Sequence, residues 1–391
     1  MNYLTKMYSV WLFASMCVAV YASPSNSRDR QASAHMSALS ELAARLFITI
    51  APDPCTTNSK TQGICYWSSD CTKLQGTADG SCALGLGVCC SFIRSCGATT
   101  KIDGTLFRNP NFPSTTTVAS SCTLQITPAS SNICQIRLDF TDFNLAQPNE
   151  EGECVTDSLK VTGGTSTVPV ICGQNSGQHL YMDVTPTFGS VNIKIDTTSV
   201  GKKWNIVVTQ IKCDSVNKAP TGCLQYYTST TGTIKSFNYD TSLATAAPTA
   251  TTQLIDQRYK ACIKSQAGYC SVAYSKSSGI ANDNTFSMTG DPTSIAPGTL
   301  PPGLAGSASC TTDYLIIPSG VITDWSPAIY SPTITSADRF CGTNFPRTVR
   351  TSVQPFALTV VHDEQETYPA DAALNDGPNA GFSLNYRMQA C

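Results

Sequence analysis

Cysteine is the residue with the most chemistry to offer in this chain. There are 19, and all but Cys17 fall into three consecutive sets of six. The first set is Cys55, Cys65, Cys71, Cys82, Cys89 and Cys90; the second is Cys96, Cys122, Cys134, Cys154, Cys172 and Cys213; the third is Cys223, Cys262, Cys270, Cys310, Cys341 and Cys391. An even number in each set suits oxidation to disulfides, and six cysteines alone allow 15 connectivities. Other chemistries are poorly supplied. Nucleophilic serine catalysis needs a histidine to take the serine proton and an acid to orient it. Only His35, His179 and His362 exist, and no Gly-x-Ser-x-Gly or Gly-Asp-Ser-Gly-Gly run accompanies them. His362, followed by Asp363 and Glu364, reads as a solvated strand end rather than a base. There is no His-Glu-x-x-His helix for zinc, the Cys89-Cys90 doublet lacks zinc-finger spacing, and no pair of carboxylates is singled out for glycoside hydrolysis. The sequence therefore predicts no enzyme.

Disulfides need an oxidising compartment, and the N-terminus supplies a route to one. An apolar run from Val10 to Val20 follows Lys6 and ends in Val20-Tyr21-Ala22. It is too short for a membrane helix, which needs about 20 residues, and has the basic start and small-residue end of a signal peptide. Residues 1–22 are assigned to that signal and 23–54 to a leader or pro-segment, in which Leu39, Leu42, Leu46 and Ile48 fall near a helical period. No later stretch is apolar for long enough to span a bilayer, and no hydrophobic tail follows Cys391 to direct a lipid anchor. The expected product is a soluble, extracellular protein. Charged residues make up 13% of the chain, against about 25% in ordinary domains, and the formal net charge is -2. Neither nucleic acid nor an anionic membrane is implied as a partner. No Asn-x-Ser/Thr triplet occurs, so N-glycosylation is not expected.

The elements that must hold these cysteines read as strands. Cys134-Gln-Ile136-Arg-Leu138-Asp-Phe140, Val191-Asn-Ile193-Lys-Ile195, Cys270-Ser-Val272-Ala-Tyr274, Asp313 to Ile317, Phe356-Ala-Leu358-Thr-Val360 and Phe382-Ser-Leu384-Asn-Tyr386 alternate apolar and polar residues. Turn residues such as Gly163-Gly164 and Pro318-Ser-Gly320 separate them. Residues 55–92 are too few to bury a sufficient core and depend on their bridges. Two longer modules follow, at 96–213 and 223–391, joined by a polar linker at 214–222. They form an internal repeat: Cys154-Val-Thr-Asp157-Ser-Leu-Lys-Val161 matches Cys310-Thr-Thr-Asp313-Tyr-Leu-Ile-Ile317, and Ile171-Cys172-Gly173 matches Phe340-Cys341-Gly342. The second copy carries extra loop, much of it around Pro292 to Pro302.

Cys-x-x-Asp-x-Leu-x-Ile/Val followed by Cys-Gly resembles the pattern of the CUB domain, an extracellular β-sandwich. Cys96-Gly97, Asn109-Pro-Asn111-Phe112-Pro113 and Phe140-Thr-Asp-Phe143-Asn-Leu145 resemble further parts of it. The resemblance implies an all-β chain: two tandem CUB-like antiparallel β-sandwiches plus a small disulfide-rich N-terminal module. It further implies the bridges Cys96–Cys122, Cys154–Cys172 and Cys134–Cys213, and correspondingly Cys223–Cys262, Cys310–Cys341 and Cys270–Cys391. The third set is the more divergent. Its wording resembles secreted CUB-containing proteins of insects and other arthropods. The N-terminal module looks like a shortened clip domain, which implies Cys55–Cys89, Cys65–Cys82 and Cys71–Cys90.

Many CUB domains bind calcium at one end through a Glu and two Asp residues, and use that end to grip partners. Aligning the motifs places Asp157 and Asp196 at the two aspartate positions of the first module, and Asp313 and Asp363 in the second. Ala146 stands where the family has its glutamate, with Glu150, Glu151 and Glu153 in the following loop as substitutes; Thr289 stands there in the second module, with Asp291 nearby. A calcium set of Asp157, Asp196 and Glu150 is one reading, and turn-capping aspartates the other. Without calcium, recognition would fall to Tyr66-Trp67, Tyr226-Tyr227 and Trp325 to Tyr330, each of which serves equally as core. The function expected is a non-catalytic binding protein for an extracellular protein or glycan, in innate immunity or protease-cascade regulation. The alternatives are a structural matrix or cuticle component, and a protease inhibitor acting through the clip-like module. Oligomeric state is not encoded in any pattern found.

Overall fold

Alternating side chains become the two faces of a pleated sheet wherever one face can be buried. Along Val191–Thr197, Val191, Ile193, Ile195 and Thr197 are buried while Asn192, Lys194 and Asp196 face outward. The computed structural model describes residues 49–185, 189–239, 252–277, 285–289, 303–324, 335–366 and 379–391. The expected signal peptide, nearly all of the expected leader with His35, the Trp325 to Tyr330 stretch, residues 292–302 and Asp291 lie outside the described residues.

The first sandwich packs a four-stranded sheet on part of an eight-stranded one. The smaller sheet runs Thr99–Thr100, Ser120–Ile126, Val191–Thr197, Ser158–Thr162. In the larger, Thr105–Arg108, Lys203–Lys212, Ile133–Asn144 and His179–Asp183 follow one another. Phe107, Phe140, Phe143 and Trp204 from the large sheet meet Leu124, Leu159, Ile193 and Ile195 from the small one in a single core.

The N-terminal module is not a separate knob. Its strand Gly87–Arg94 pairs through Cys89 and Cys90 with Gln62–Tyr66, and then through Phe92, Ile93 and Arg94 with Thr105–Arg108, in parallel. One strand therefore serves both modules, and the eight-stranded sheet runs unbroken from Pro54–Thr56 to His179–Asp183. Such pairing satisfies the backbone groups of an edge that would otherwise be open. Phe92, with no exposed surface, fills the junction with Ile64, Cys71 and Cys90. The short helix Ser68–Lys73 places Cys71 there.

The second module builds an 11-stranded sheet that includes Cys223–Tyr227, Arg258–Ile263, Tyr269–Lys276, Tyr314–Asp324, Ala357–Val361 and Gly381–Ala390. One expectation is corrected here: Pro318-Ser-Gly320 is not a turn between strands. Tyr314–Asp324 is continuous, and its register shifts between Ile316 and Gly320 with Ser319 at φ 48°. Proline cannot donate to the ladder, so the sequence is absorbed as a bulge.

Each of the nine disulfides joins two cysteines of one set: Cys55–Cys89, Cys65–Cys82 and Cys71–Cys90; Cys96–Cys122, Cys134–Cys213 and Cys154–Cys172; Cys223–Cys262, Cys270–Cys391 and Cys310–Cys341. No helix among the described residues is long and apolar enough to cross a membrane.

The linker is pinned rather than loose. Ala219 is buried, and its N–H and C=O bond the Gln135 side chain at 2.8 and 2.9 Å. Beyond it the two sandwiches share a seam in which Asn238, wholly buried at φ 65°, accepts from Gln174 N–H at 2.9 Å. Asn238 also donates its own N–H to Asn175 Oδ1 at 2.7 Å and its amide to Gln147 Oε1 at 2.9 Å. Gly173 at φ 76° makes this approach feasible, since a Cβ there would lie 1.8 Å from Asn238 Oδ1. We predict that Gly173→Val costs about 2–4 kcal/mol, from left-handed strain plus overpacking. A denaturant titration should show the loss and small-angle scattering a larger radius of gyration. Unchanged values in both would refute a tight seam.

Candidate functional site

The carboxylates implicated by the sequence are not assembled together. Asp157 precedes Ser158, which pairs with Asp196 across neighbouring strands, but the two aspartates face opposite ways. The Asp157 side chain has no exposed surface. Its Oδ2 accepts from Ala146 N–H at 2.8 Å and its Oδ1 from Thr198 N–H at 3.0 Å, and Lys202 Nζ stands 3.5 Å from Oδ2. Asp196 lies on the solvent face, 2.8 Å from Lys194 Nζ. Partial burial works against its charge, but hydrogen bonds from Lys194 and Ser121 hold the carboxyl below its usual range. Glu150, Glu151 and Glu153 are exposed. Their loop is tied to the second module, because Ile255 N–H donates to Gly152 C=O at 3.2 Å, and a Cβ on Gly152 would lie 2.6 Å from Gln253 O.

The repeat locates the equivalent centre in the second module. Asp313, also wholly buried, accepts from Asp363 N–H at 2.8 Å through Oδ1 and from Gln253 Nε2 at 3.1 Å through Oδ2. Thr289 donates to the Asp313 carbonyl at 3.0 Å. Ser158, after Asp157, pairs with Asp196, and Tyr314, after Asp313, pairs with Val361; in each module the N–H that caps the buried aspartate lies two residues beyond that partner, at Thr198 and at Asp363. Thr198, not Asp196, therefore occupies the place matched to Asp363. No group of three or more His, Cys, Asp or Glu residues among the described residues is arranged to hold a metal.

The two described histidines are structural. His179 Nε2 accepts from Tyr226 N–H at 3.0 Å, across the seam, and its ring meets those of Tyr181 and Tyr227 edge-on at 5.7 and 5.1 Å. Burial, with the Arg137 charge nearby, pushes its pKa down to about 4. His362 is not a solvated strand end: it is buried, its Nδ1 lies 2.8 Å from Leu254 O, and burial lowers it to about 4 as well. Neither is placed as a general base. Tyr226 and Tyr227 are likewise spent inside the seam, Trp67 is buried, and Tyr66 packs edge-on against Phe92.

A concave surface does exist that residues of all three modules line. A groove of about 970 Å³ is lined by Gln62 of the N-terminal module, Arg137, Asp139 and Tyr181 of the first sandwich, Val216 of the linker and Thr228 of the second sandwich. Arg137 is fixed within it, with Nε 2.9 Å and Nη2 2.6 Å from the Asp139 carboxylate and Nη1 2.8 Å from Tyr181 Oη. Its rim is polar and its guanidinium is already paired, which suits shape-based recognition of a neutral partner surface better than capture of an anion. Sequence reasoning missed this groove, the seam and Lys202. Their residues carry no local signal, because each is defined by a partner far along the chain.

A CUB domain model matches residues 96–206, and an animal CUB domain model matches residues 220–389. Among solved structures, the CUB1-EGF-CUB2 domains of rat MASP-1 are similar at 15% identity, over 74% of this chain and 99% of that chain, with a TM-score of 0.24. The CUB1-EGF-CUB2 domain of human MASP-1/3 is similar at 17% identity, over 74% and 100%, with a TM-score of 0.23. The MASP-1 CUB2 domain bound to Ca2+ is similar at 18% identity, over 29% and 98%, with a TM-score of 0.24. No curated protein matches the chain.

The histidines generate a prediction whose sign is fixed by linkage. Their folded pKa lies below the ordinary 6.5, so stability is intact above that value. Between there and about 4 the unfolded chain takes protons that the folded chain refuses, at a cost of up to about 3 kcal/mol per histidine. Denaturant titrations from neutral pH to pH 4 should show this fall. His179→Gln, which keeps an acceptor for Tyr226 N–H, should reduce it by roughly a third to a half; an unaltered slope would rule out His179 as a source.

Proposed function

We propose that this chain, a member of the CUB family with two such domains in tandem, is a secreted, non-catalytic binding protein for an extracellular protein or glycan. One observation carries the reading: three disulfide-closed modules are joined by a shared strand and a polar seam, and together line one groove. A surface held this rigidly loses little conformational entropy on binding. Nine disulfides suit an oxidising exterior. If residues 1–22 are a signal and 23–54 a leader, the mature chain begins at the N-terminal module. The clip-like reading of that module is supported by its bridge pattern, and the arthropod, immune or protease-cascade setting by the wording of the third cysteine set. A matrix or cuticle role has no specific observation in its favour.

Leu84 favours a second reading, in which the N-terminal module regulates a protease. It is 105% exposed, at the tip of a loop where Ala83, Leu84 and Gly85 have φ of 47, 56 and 87°, and the Cys65–Cys82 bridge fixes its base. Strained backbone clusters at functional loops, and here it holds a large apolar side chain out to solvent.

Affinity capture with the mature chain from extracellular fluid, together with a glycan array, tests the main reading. Val216→Arg and Asn217→Arg, which crowd the groove from its exposed rim, should reduce retention at least about tenfold. Retention of neither protein nor glycan by the wild-type chain would sink it. For the second reading, one equivalent of the chain should abolish a target protease's activity, and Leu84→Asp should restore it.

A further inference from the structure

We infer that Lys202 supplies, from within the chain, the positive charge that a divalent ion would bring to the carboxylate end of the first sandwich. The end is therefore folded and rigid without metal. The residues do not suit calcium, which takes 6–8 oxygen ligands. Asp157 is the single buried carboxylate there, and both its oxygens are committed to backbone N–H donors. The position of the family glutamate is Ala146, whose own N–H is one of those donors. Asp196 is turned to the opposite face and paired with Lys194, and the glutamates of the next loop are exposed on a segment docked to the second module.

Lys202 is built into its place rather than draped there. Its side chain is 16% exposed. Its backbone is clamped by Thr116, whose N–H donates to Lys202 O at 2.8 Å and whose Oγ1 accepts from Lys202 N–H at 3.0 Å. An incoming divalent ion would have to displace this ammonium to reach a single carboxylate whose two oxygens each already accept a backbone N–H. At the same centre of the second module Asp313 accepts hydrogen bonds from Gln253 Nε2 and Asp363 N–H.

The test uses the mature chain and calcium alone. Thermal unfolding in calcium at about 5 mM, above the range of weak extracellular sites, should give the same Tm as in excess EDTA. Calorimetric titration with calcium should show no saturable heat. Lys202→Met should lower Tm by roughly 4–10 °C in both buffers, because it strands a buried carboxylate, and Lys202→Arg should retain most of the wild-type value. If Lys202→Met fails to fold, Asp157→Asn/Lys202→Met, which removes both charges, should recover a folded chain. A rise in wild-type Tm of more than about 3 °C with calcium, a saturable calcium isotherm, or a neutral Lys202→Met would each overturn the inference.

Discussion

Neither sandwich can satisfy its own polar groups where the two meet, and that constraint organises the molecule. A buried N–H or C=O left without a partner costs about 1–3 kcal/mol, and the seam contains many. Asn238 resolves several at once: its N–H, its carbonyl oxygen and its amide are all engaged, three of those bonds reaching Gln147, Gln174 and Asn175 of the first sandwich. Gln178 adds a bond to Ser236 O at 2.9 Å and accepts from Gln225 at 3.1 Å. None of these groups would be satisfied if the sandwiches parted in a dry environment, and separating them requires water to enter along the whole seam. The relative orientation of the two domains is consequently a property of the fold rather than of the linker.

The same logic acts at the other end of the first sandwich. There the exposed edge of Thr105–Arg108 is closed by the second half of Gly87–Arg94, so the N-terminal module inherits a rigid attachment. A module of this size has little core of its own; Phe92, Ile64, Cys71 and Cys90 form a small one, against which Ile102 of the sandwich packs. Its three bridges then need only fix loops, Leu84 among them.

Strands were legible in the sequence because alternation is local: Val191-Asn-Ile193-Lys-Ile195 needs no knowledge of the rest of the chain. That alternation also put Asp196 on the outer face, since it follows Ile195, an inward residue. Motif matching, which paired Asp196 with Asp363, overrode that local physics. The structure places Thr198 opposite Asp157 instead. The seam was not legible. Gln174 and Asn238 are separated by 64 positions, and each alone reads as an ordinary solvated polar residue. Tyr226 and Tyr227 were ambiguous for a related reason, as aromatic pairs fill interfaces inside a chain as readily as between chains.

The repeat places a buried aspartate at the same point of each sandwich, with different side chains brought against it. In the first sandwich an ammonium stands against Asp157, a long-range interaction that gains strength as water is excluded; in the second, Gln253 adds an amide hydrogen bond to Asp313, which acts at contact. A charged partner must itself be desolvated, so the first solution demands an almost buried lysine with a clamped backbone, and Thr116 provides that clamp. The second demands a side chain delivered from outside the sandwich proper, and Gln253 arrives on the segment that also touches Gly152 of the first module. Hydrogen-bonding Asp313 and docking the two domains are therefore accomplished by one short stretch of chain. A substitution at Gln253 would disturb both, whereas one at Lys202 is expected to remain within a single sandwich.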